Sequence, residues 1–89
     1  MKEEVVEKLI KTLSKKFKRT ELNLIFNGAI ELIVKMKNIK FFVTKDIIII
    51  IDDEGKELHI EPFYIDNIEF RNKNIKFEME GDYTIQLEN

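Results

Sequence analysis

The spacing of apolar residues divides the chain into an N-terminal helix and a longer region of strands. Between residues 3 and 18, apolar side chains recur every three or four positions, which is the period of one helical face. Glutamates precede this stripe and lysines follow it, an order that suits the helix dipole. From residue 20 to 88 the apolar period changes to two, which is typical of β-strands. The pattern therefore predicts a helix over 3–18 and seven or eight short strands over 20–88.

A hairpin is predicted where two alternating runs meet at Asn27-Gly28. Asn-Gly between such runs is a strong hairpin signal, because a type I′ turn needs a positive φ at both central residues. We therefore expect Asn27 and Gly28 to form a two-residue turn. Further reversals are predicted at Asn38, at 45–46, at 52–55, at 72–74 and at 81–82, and Pro62 is expected to end or bend a strand.

Five consecutive isoleucines, Ile47 to Ile51, occupy the middle of the strand region. β-Branched side chains favour a strand over a helix, and a strand that is apolar on both faces needs cover on both. We expect the bent sheet to cover one face of this run and the N-terminal helix to cover the other. The alternative is that one face binds a partner. The acidic residues beside the run are expected to oppose aggregation; they are Asp46, Asp52, Asp53 and Glu54.

These elements predict one α+β domain over residues 1–89. Connections of two to five residues make neighbouring strands antiparallel. The expected architecture is an amphipathic helix packed on a strongly bent antiparallel β-meander, either a small barrel or a roll. A chain of 89 residues has room for a single modest core.

The residue types argue against an enzyme. The chain has no cysteine, one histidine (His59) and one serine (Ser14), so no nucleophile with a nearby base is indicated. His59 shares a predicted strand face with Glu57 and Glu61, but residues two apart on a strand stand too far apart to hold one small ion together. We expect no cofactor and no metal site. The Asp52-Asp53-Glu54-Gly55 stretch is interpreted as a solvated turn because it lacks the spacing of a calcium loop.

Charge separates the chain into a basic front and an acidic rear. The formal net charge is −2, with the excess of lysine and arginine in the first half and most carboxylates after residue 46. The rear half predicts an acidic face that could dock on a basic protein; its residues are Asp52, Asp53, Glu54, Glu57, Glu61, Glu69, Glu78 and Glu80. The end of the helix carries a basic cluster that could contact nucleic acid; its residues are Lys11, Lys15, Lys16, Lys18 and Arg19.

A helix followed by a bent five-strand meander, from residue 3 to about 70, is similar in outline to the Sm-like RNA-binding proteins. The resemblance would imply an oligomeric RNA- or DNA-binding protein. Those proteins carry a paired Asp and Asn in a loop between early strands, and the corresponding stretch from Met36 to Lys40 has no such pair. The resemblance therefore assigns no functional residue.

Two functions are compatible with the sequence. The first is a non-enzymatic protein-interaction module, of the inhibitor or adaptor type found in phages and mobile elements, whose acidic sheet face docks on a basic, nucleic-acid-binding protein. The second is the Sm-like nucleic-acid binder. A cytoplasmic location is expected, because no signal peptide, membrane helix or cysteine is present. No membrane partner is expected, and a homo-oligomer through strand edges is possible. An excess of Ile, Lys and Asn, whose codons are AT-rich, suggests an AT-rich bacterial or phage genome.

Overall fold

The computed structural model describes residues 1–17 and 21–89, and in these residues one α-helix is followed by eight β-strands. Lys18 and Arg19 lie outside the described residues. The elements are α1 (Glu3–Lys16), β1 (Leu22–Asn27), β2 (Glu31–Met36), β3 (Lys40–Val43), β4 (Ile48–Ile51), β5 (Glu57–Ile60), β6 (Ile65–Phe70), β7 (Asn74–Met79) and β8 (Tyr83–Glu88), with a 3₁₀ turn at Pro62–Tyr64. This confirms the predicted α+β class.

The strands form two antiparallel sheets instead of one closed barrel. The larger sheet has the order β2-β1-β8-β7-β6, and the smaller sheet has the order β3-β4-β5. Strands β1 and β8, near the two ends of the chain, pair with each other. Between β2 and β3 the chain leaves one sheet for the other at Asn38, which has a φ of 52°. The five-strand meander on which the Sm-like resemblance rests therefore does not form.

One hydrophobic core draws on the helix and on both sheets. Leu9, Leu13 and Phe17 are fully buried and belong to the same cluster as Ile48 of β4 and Phe77 of β7. Each large apolar side chain buried in this way contributes about 1.5–3 kcal/mol to folding. The helix therefore packs on the inner side of the sheets, as the apolar stripe predicts.

Polar contacts fix both ends of the helix. The N-terminal amino group donates to the carbonyl oxygen of Lys45 at 3.2 Å, which ties the start of the chain to the β3–β4 turn. At the other end, Lys16 Nζ donates to the carbonyl oxygens of Arg71 and Asn72 at 3.0 and 2.7 Å. Helix α1 does not have the length and apolar character of a membrane-crossing helix, and the described residues contain no other helix that does.

The β1–β2 hairpin forms, but its predicted two-residue turn is wrong. Asn27 pairs with Glu31, so three residues make the connection, and neither Asn27 nor Gly28 has a positive φ. A two-residue turn would place Leu24 opposite Glu31 and would bring the polar residues of β2 to the buried face. The observed register pairs Leu24 with Val34, so the hydrophobic pattern has decided the turn length. A Cβ on Gly28 would lie 3.0 Å from the Cβ of a β8 tyrosine, so any other residue there would require this neighbour to move.

The isoleucine run forms the centre of the small sheet, and only one of its faces is fully covered. Ile48 and Ile50 are completely buried, whereas Ile49 and Ile51 point to the opposite face and are partly exposed. The expectation that both faces are covered is wrong, because helix α1 and the larger sheet share one core with Ile48 and Ile50, and the face of Ile49 and Ile51 stays partly exposed. Residues of the flanking strands β3 and β5 give Ile49 and Ile51 only lateral cover.

Candidate protein-binding surfaces

The outer face of the three-stranded sheet combines apolar side chains with carboxylates. We define the small-sheet face as the outward side chains of these strands and of the residue that follows β5: Lys40, Phe42, Ile49, Ile51, Glu57, His59 and Glu61. Phe42 pairs with Ile49, which pairs with His59, so these three form one cross-strand row. Phe42 is 60% exposed, an unusual state for a phenylalanine on a regular strand.

Carboxylates lie along the β5 margin of the small-sheet face. Glu57 and His59 share the outward side of β5, and His59 Nε2 lies 3.8 Å from Glu57 Oε2. Glu61 follows in extended backbone and continues the outward alternation. Of the described residues, no group of three His, Asp or Glu side chains is placed to hold a metal ion. The β5 margin therefore carries negative charge, whereas Lys40 places a positive charge on β3 at the opposite margin.

Asp52 does not belong to the predicted acidic face. Its side chain is only 1% exposed, and its Oδ1 accepts hydrogen bonds from the backbone N–H groups of Glu54 at 3.0 Å and Lys56 at 2.7 Å. The carboxylate thus closes the β4–β5 loop from inside, as Asp side chains do in turns. This structural role corrects the sequence-based assignment of Asp52 to a partner-binding surface.

The two neighbouring acids are exposed but engaged within the same loop. Asp53 Oδ2 accepts a hydrogen bond of 2.8 Å from Asn38 Nδ2, which joins the loop to the β2–β3 connection. Glu54 Oε2 lies 3.8 Å from Lys56 Nζ. The Lys56 ammonium group partly offsets the charge of Glu54, whereas the neutral Asn38 amide leaves the charge of Asp53 unchanged.

The remaining predicted acids lie on the other sheet. Glu69 is on β6 and Glu78 is on β7, while Glu80 lies in the β7–β8 turn. Arg71 donates to Glu69 Oε2 from Nε at 3.1 Å and from Nη2 at 2.7 Å, and this hydrogen bonding lowers the pKa of Glu69 below its ordinary value. Lys76 Nζ lies 3.9 Å from Glu78 Oε1. The eight predicted acids therefore do not form one surface.

The predicted basic cluster is also divided. Lys11 and Lys15 are exposed on the helix, whereas Lys16 is half-buried and donates to two backbone carbonyls of the β6–β7 turn. Asn89 Nδ2 donates to the carbonyl oxygen of Lys16 at 2.7 Å, which fixes this turn of the helix further. Lys18 and Arg19, the last two members of the cluster, lie outside the described residues. The Lys16 ammonium group therefore joins the end of helix α1 to the β6–β7 turn.

The edge strand β2 also carries exposed apolar side chains, which were not predicted from the sequence to be exposed. Leu32 and Ile33 are 54% and 55% exposed, and Ile30 in the preceding loop is 80% exposed. Their alternation resembles that of a buried strand, so the pattern alone gave no sign of exposure. Phe42, by contrast, shares the outward side of β3 with Lys40, whereas Phe41 and Val43 point inward. This alternation could have indicated an exposed phenylalanine. Phe63, in the 3₁₀ turn, is 86% exposed.

Comparison with known proteins gives no relative for this arrangement: no family model, curated protein or solved structure matches the chain.

Proposed function

We propose that the chain is a non-enzymatic, cytoplasmic protein-interaction module that binds a basic protein through the small-sheet face. The observation that carries this proposal is the exposed Phe42 beside Ile49, with Glu57 and Glu61 at the margin of the same face. Protein interfaces commonly have an aromatic or aliphatic centre and a charged rim. Of the acidic residues predicted from the sequence to bind a partner, only the two carboxylates that border this apolar centre belong to the proposed interface.

We infer a basic partner from Glu57 and Glu61, the two carboxylates at the β5 margin of the small-sheet face. Rim charges steer association and make it sensitive to salt, whereas a buried aromatic residue at the centre supplies most of the affinity. A small protein with such a face suits an inhibitor or adaptor that occupies the nucleic-acid groove of a basic protein. We therefore propose an inhibitor or adaptor of the phage or mobile-element type.

The test compares proteins captured from a nuclease-treated lysate of the source cells by wild type and by surface variants. The first variant combines Glu57→Lys with Glu61→Lys, and the second is Phe42→Ala. The matched control combines Glu78→Lys with Glu80→Lys, which makes the same change in charge on the other sheet. Nuclease treatment removes capture through bridging RNA or DNA.

We expect one basic protein to be retained by wild type and by the control, and to be lost with the Glu57→Lys, Glu61→Lys variant. Phe42→Ala should weaken its binding about thirtyfold, the effect of a hot-spot side chain worth about 2 kcal/mol. Retention of the same proteins by all variants would contradict the proposal, as would equal loss of binding in the control.

A further inference from the structure

The two edges of the five-stranded sheet differ in how they are protected. On β6 the register shifts between Ile65 and Asn67, and such a bulge disrupts an edge that could otherwise pair with another strand. On β2 the pairing with β1 is regular from end to end. Leu32 and Ile33 are both more than half exposed there, one on each face of the sheet. The β2 edge is therefore regular and apolar.

Backbone groups of β2 point outward from this edge. The carbonyl oxygens of Lys35 and Lys37 accept hydrogen bonds of 2.9 and 3.2 Å from the β4–β5 loop, on the side away from β1. In an antiparallel ladder the backbone groups of successive residues alternate between the two neighbours. The N–H and C=O groups of Glu31 and Ile33 therefore also point away from β1. The β4–β5 loop contacts the edge at the Lys35 and Lys37 carbonyl oxygens, and among the described residues no backbone hydrogen bond from another element reaches the outward groups of Glu31 and Ile33.

The sequence of β2 is complementary to itself when it is read in the opposite direction. Around Ile33, the order is Glu31, Leu32, Ile33, Val34 and Lys35. If two copies pair antiparallel with Ile33 opposite Ile33, each Glu31 faces a Lys35 of the second copy. Opposite charges directly across an antiparallel pair are stabilising, and a two-fold axis supplies two such pairs.

The same register also continues the apolar rows of the sheet. Ile33 pairs with Ile25 inside one copy, so the pairing would join four isoleucines in one row on the outer face. On the other face, Phe26 pairs with Leu32, which would meet Val34 of the second copy. A single register thus matches charge, apolar side chains and backbone direction.

We infer that β2 pairs antiparallel with β2 of a second copy of this chain, centred on Ile33, to form a two-fold dimer with a continuous ten-stranded sheet. This interface uses a different sheet from the proposed partner-binding face and is independent of it. The Lys35 carbonyl, which Lys56 Nζ contacts, has a second lone pair for the N–H of Glu31 of the second copy. The same ammonium group would then lie near that Glu31 carboxylate.

The interface is small, so the dimer should dissociate on dilution. Stable interfaces bury roughly 1,200–2,000 Å², and one pair of five-residue strands lies at or below that range. We expect light scattering to show the 10.7 kDa mass of the monomer at low concentration and twice that mass at high concentration. A mass that stays monomeric at millimolar protein overturns the inference.

Charge exchange tests the register. Glu31→Lys alone places like charges opposite each other and should weaken dimerisation at least tenfold, and Lys35→Glu alone should do the same. The double variant restores opposite charges and should dimerise as wild type does. An equimolar mixture of the two single variants should form a heterodimer. Both positions are exposed, and unchanged thermal unfolding will verify that the fold is intact. A Glu31→Lys variant that dimerises as strongly as wild type refutes this pairing.

Crosslinking tests the register directly, because the chain contains no cysteine and any disulfide must join the introduced residues. In the proposed dimer the Cα atoms of the two Ile33→Cys residues lie about 5.5 Å apart on either side of the two-fold axis, within the range of a disulfide. The control is Leu32→Cys, whose Cα atoms are diagonal neighbours about 7–8 Å apart and outside that range. Mild oxidation should convert the Ile33→Cys protein to a covalent dimer at least ten times faster. Equal rates, or faster crosslinking at position 32, overturn the Ile33-centred register.

Discussion

Replacement of Asp52 by alanine is expected to loosen the β4–β5 hairpin from inside. Asp52 Oδ1 accepts hydrogen bonds from the N–H groups of Glu54 and Lys56, while Oδ2 is buried 3.9 Å from Lys56 Nζ. Alanine removes the acceptor of both backbone bonds and leaves two N–H donors in a partly buried loop. An exposed acid in the same loop, Asp53, makes one side-chain hydrogen bond, to Asn38, and serves as the matched control.

The magnitude follows from the number and type of bonds. A hydrogen bond to a charged group contributes about 1.5–3 kcal/mol, and water can replace part of it at a loop. For Asp52→Ala we expect the free energy of unfolding to fall by about 2–3 kcal/mol. At about 4–8 °C per kcal/mol for a domain of this size, the melting temperature should fall by roughly 10–20 °C. Asp53→Ala should cost about 0.5 kcal/mol, because surface substitutions of this kind have small effects.

Urea unfolding followed by circular dichroism measures these differences in the free energy of unfolding. The comparison requires that the slope of this free energy against urea concentration is the same for all variants. Asp52→Asn separates hydrogen bonding from charge, because it keeps the acceptor at Oδ1 and removes the negative charge near Lys56. We expect it to cost about 1 kcal/mol. If Asp52→Ala destabilises the protein no more than Asp53→Ala, the reasoning is refuted. If Asp52→Asn is as damaging as Asp52→Ala, charge is what holds the loop.

Three further predictions address the core, one tight contact and one ion pair. Ile50→Ala should lower the free energy of unfolding by about 3–4 kcal/mol because it opens a cavity, whereas Ile49→Thr on the exposed face should cost less than about 1 kcal/mol in the same urea assay. Gly28→Ala should destabilise the hairpin by about 1–2 kcal/mol, measured by thermal unfolding, because the new Cβ would meet a β8 tyrosine at 3.0 Å. Arg71→Gln should raise the pKa of Glu69 towards its ordinary value of 4.5, as an NMR titration of the side-chain carboxyl will show. Because the pKa of Glu69 is lowered in the folded state, the ionised carboxylate stabilises the fold above the unfolded pKa of 4.5, and this contribution is lost as the pH falls through the lowered pKa. The free energy of unfolding should therefore decline less below pH 4.5 in Arg71→Gln than in wild type.

The local elements could be predicted because each is set by a short repeating pattern. The three-to-four period of α1 and the two-residue period of the strands both follow from the direction of side chains along a helix or a strand. Where two local rules disagreed, at Asn27-Gly28, the pattern of buried residues prevailed over the turn preference. The two-residue turn would shift the pairing of β2 by three residues and place Leu24 opposite Glu31 instead of Val34, so that polar side chains of β2 would reach the buried face.

The arrangement of the sheets could not be predicted, because it depends on contacts between distant parts of the chain. Nothing local indicates that β1 pairs with β8, or that β3 leaves the sheet of β2. The candidate sites depend on these contacts. Asp52 resembles its exposed neighbours in sequence, and only the closing of the loop buries it. Similarly, Leu32 is exposed because β2 lies at an edge of the sheet, whereas Ile33 points to the outer face.

The two proposed surfaces lie on different sheets, and this has a functional consequence. Pairing through β2 would leave both small-sheet faces free, so one dimer would present two copies of Phe42 and its acidic rim. Two linked sites on a partner that is itself symmetric or repeated raise the overall affinity well above that of one site. Loss of the β2 pairing, as in Glu31→Lys, should then weaken capture of such a partner without changing the affinity of a single site. Loss of the small-sheet face should remove capture and leave the dimer intact, so the two proposals can fail separately.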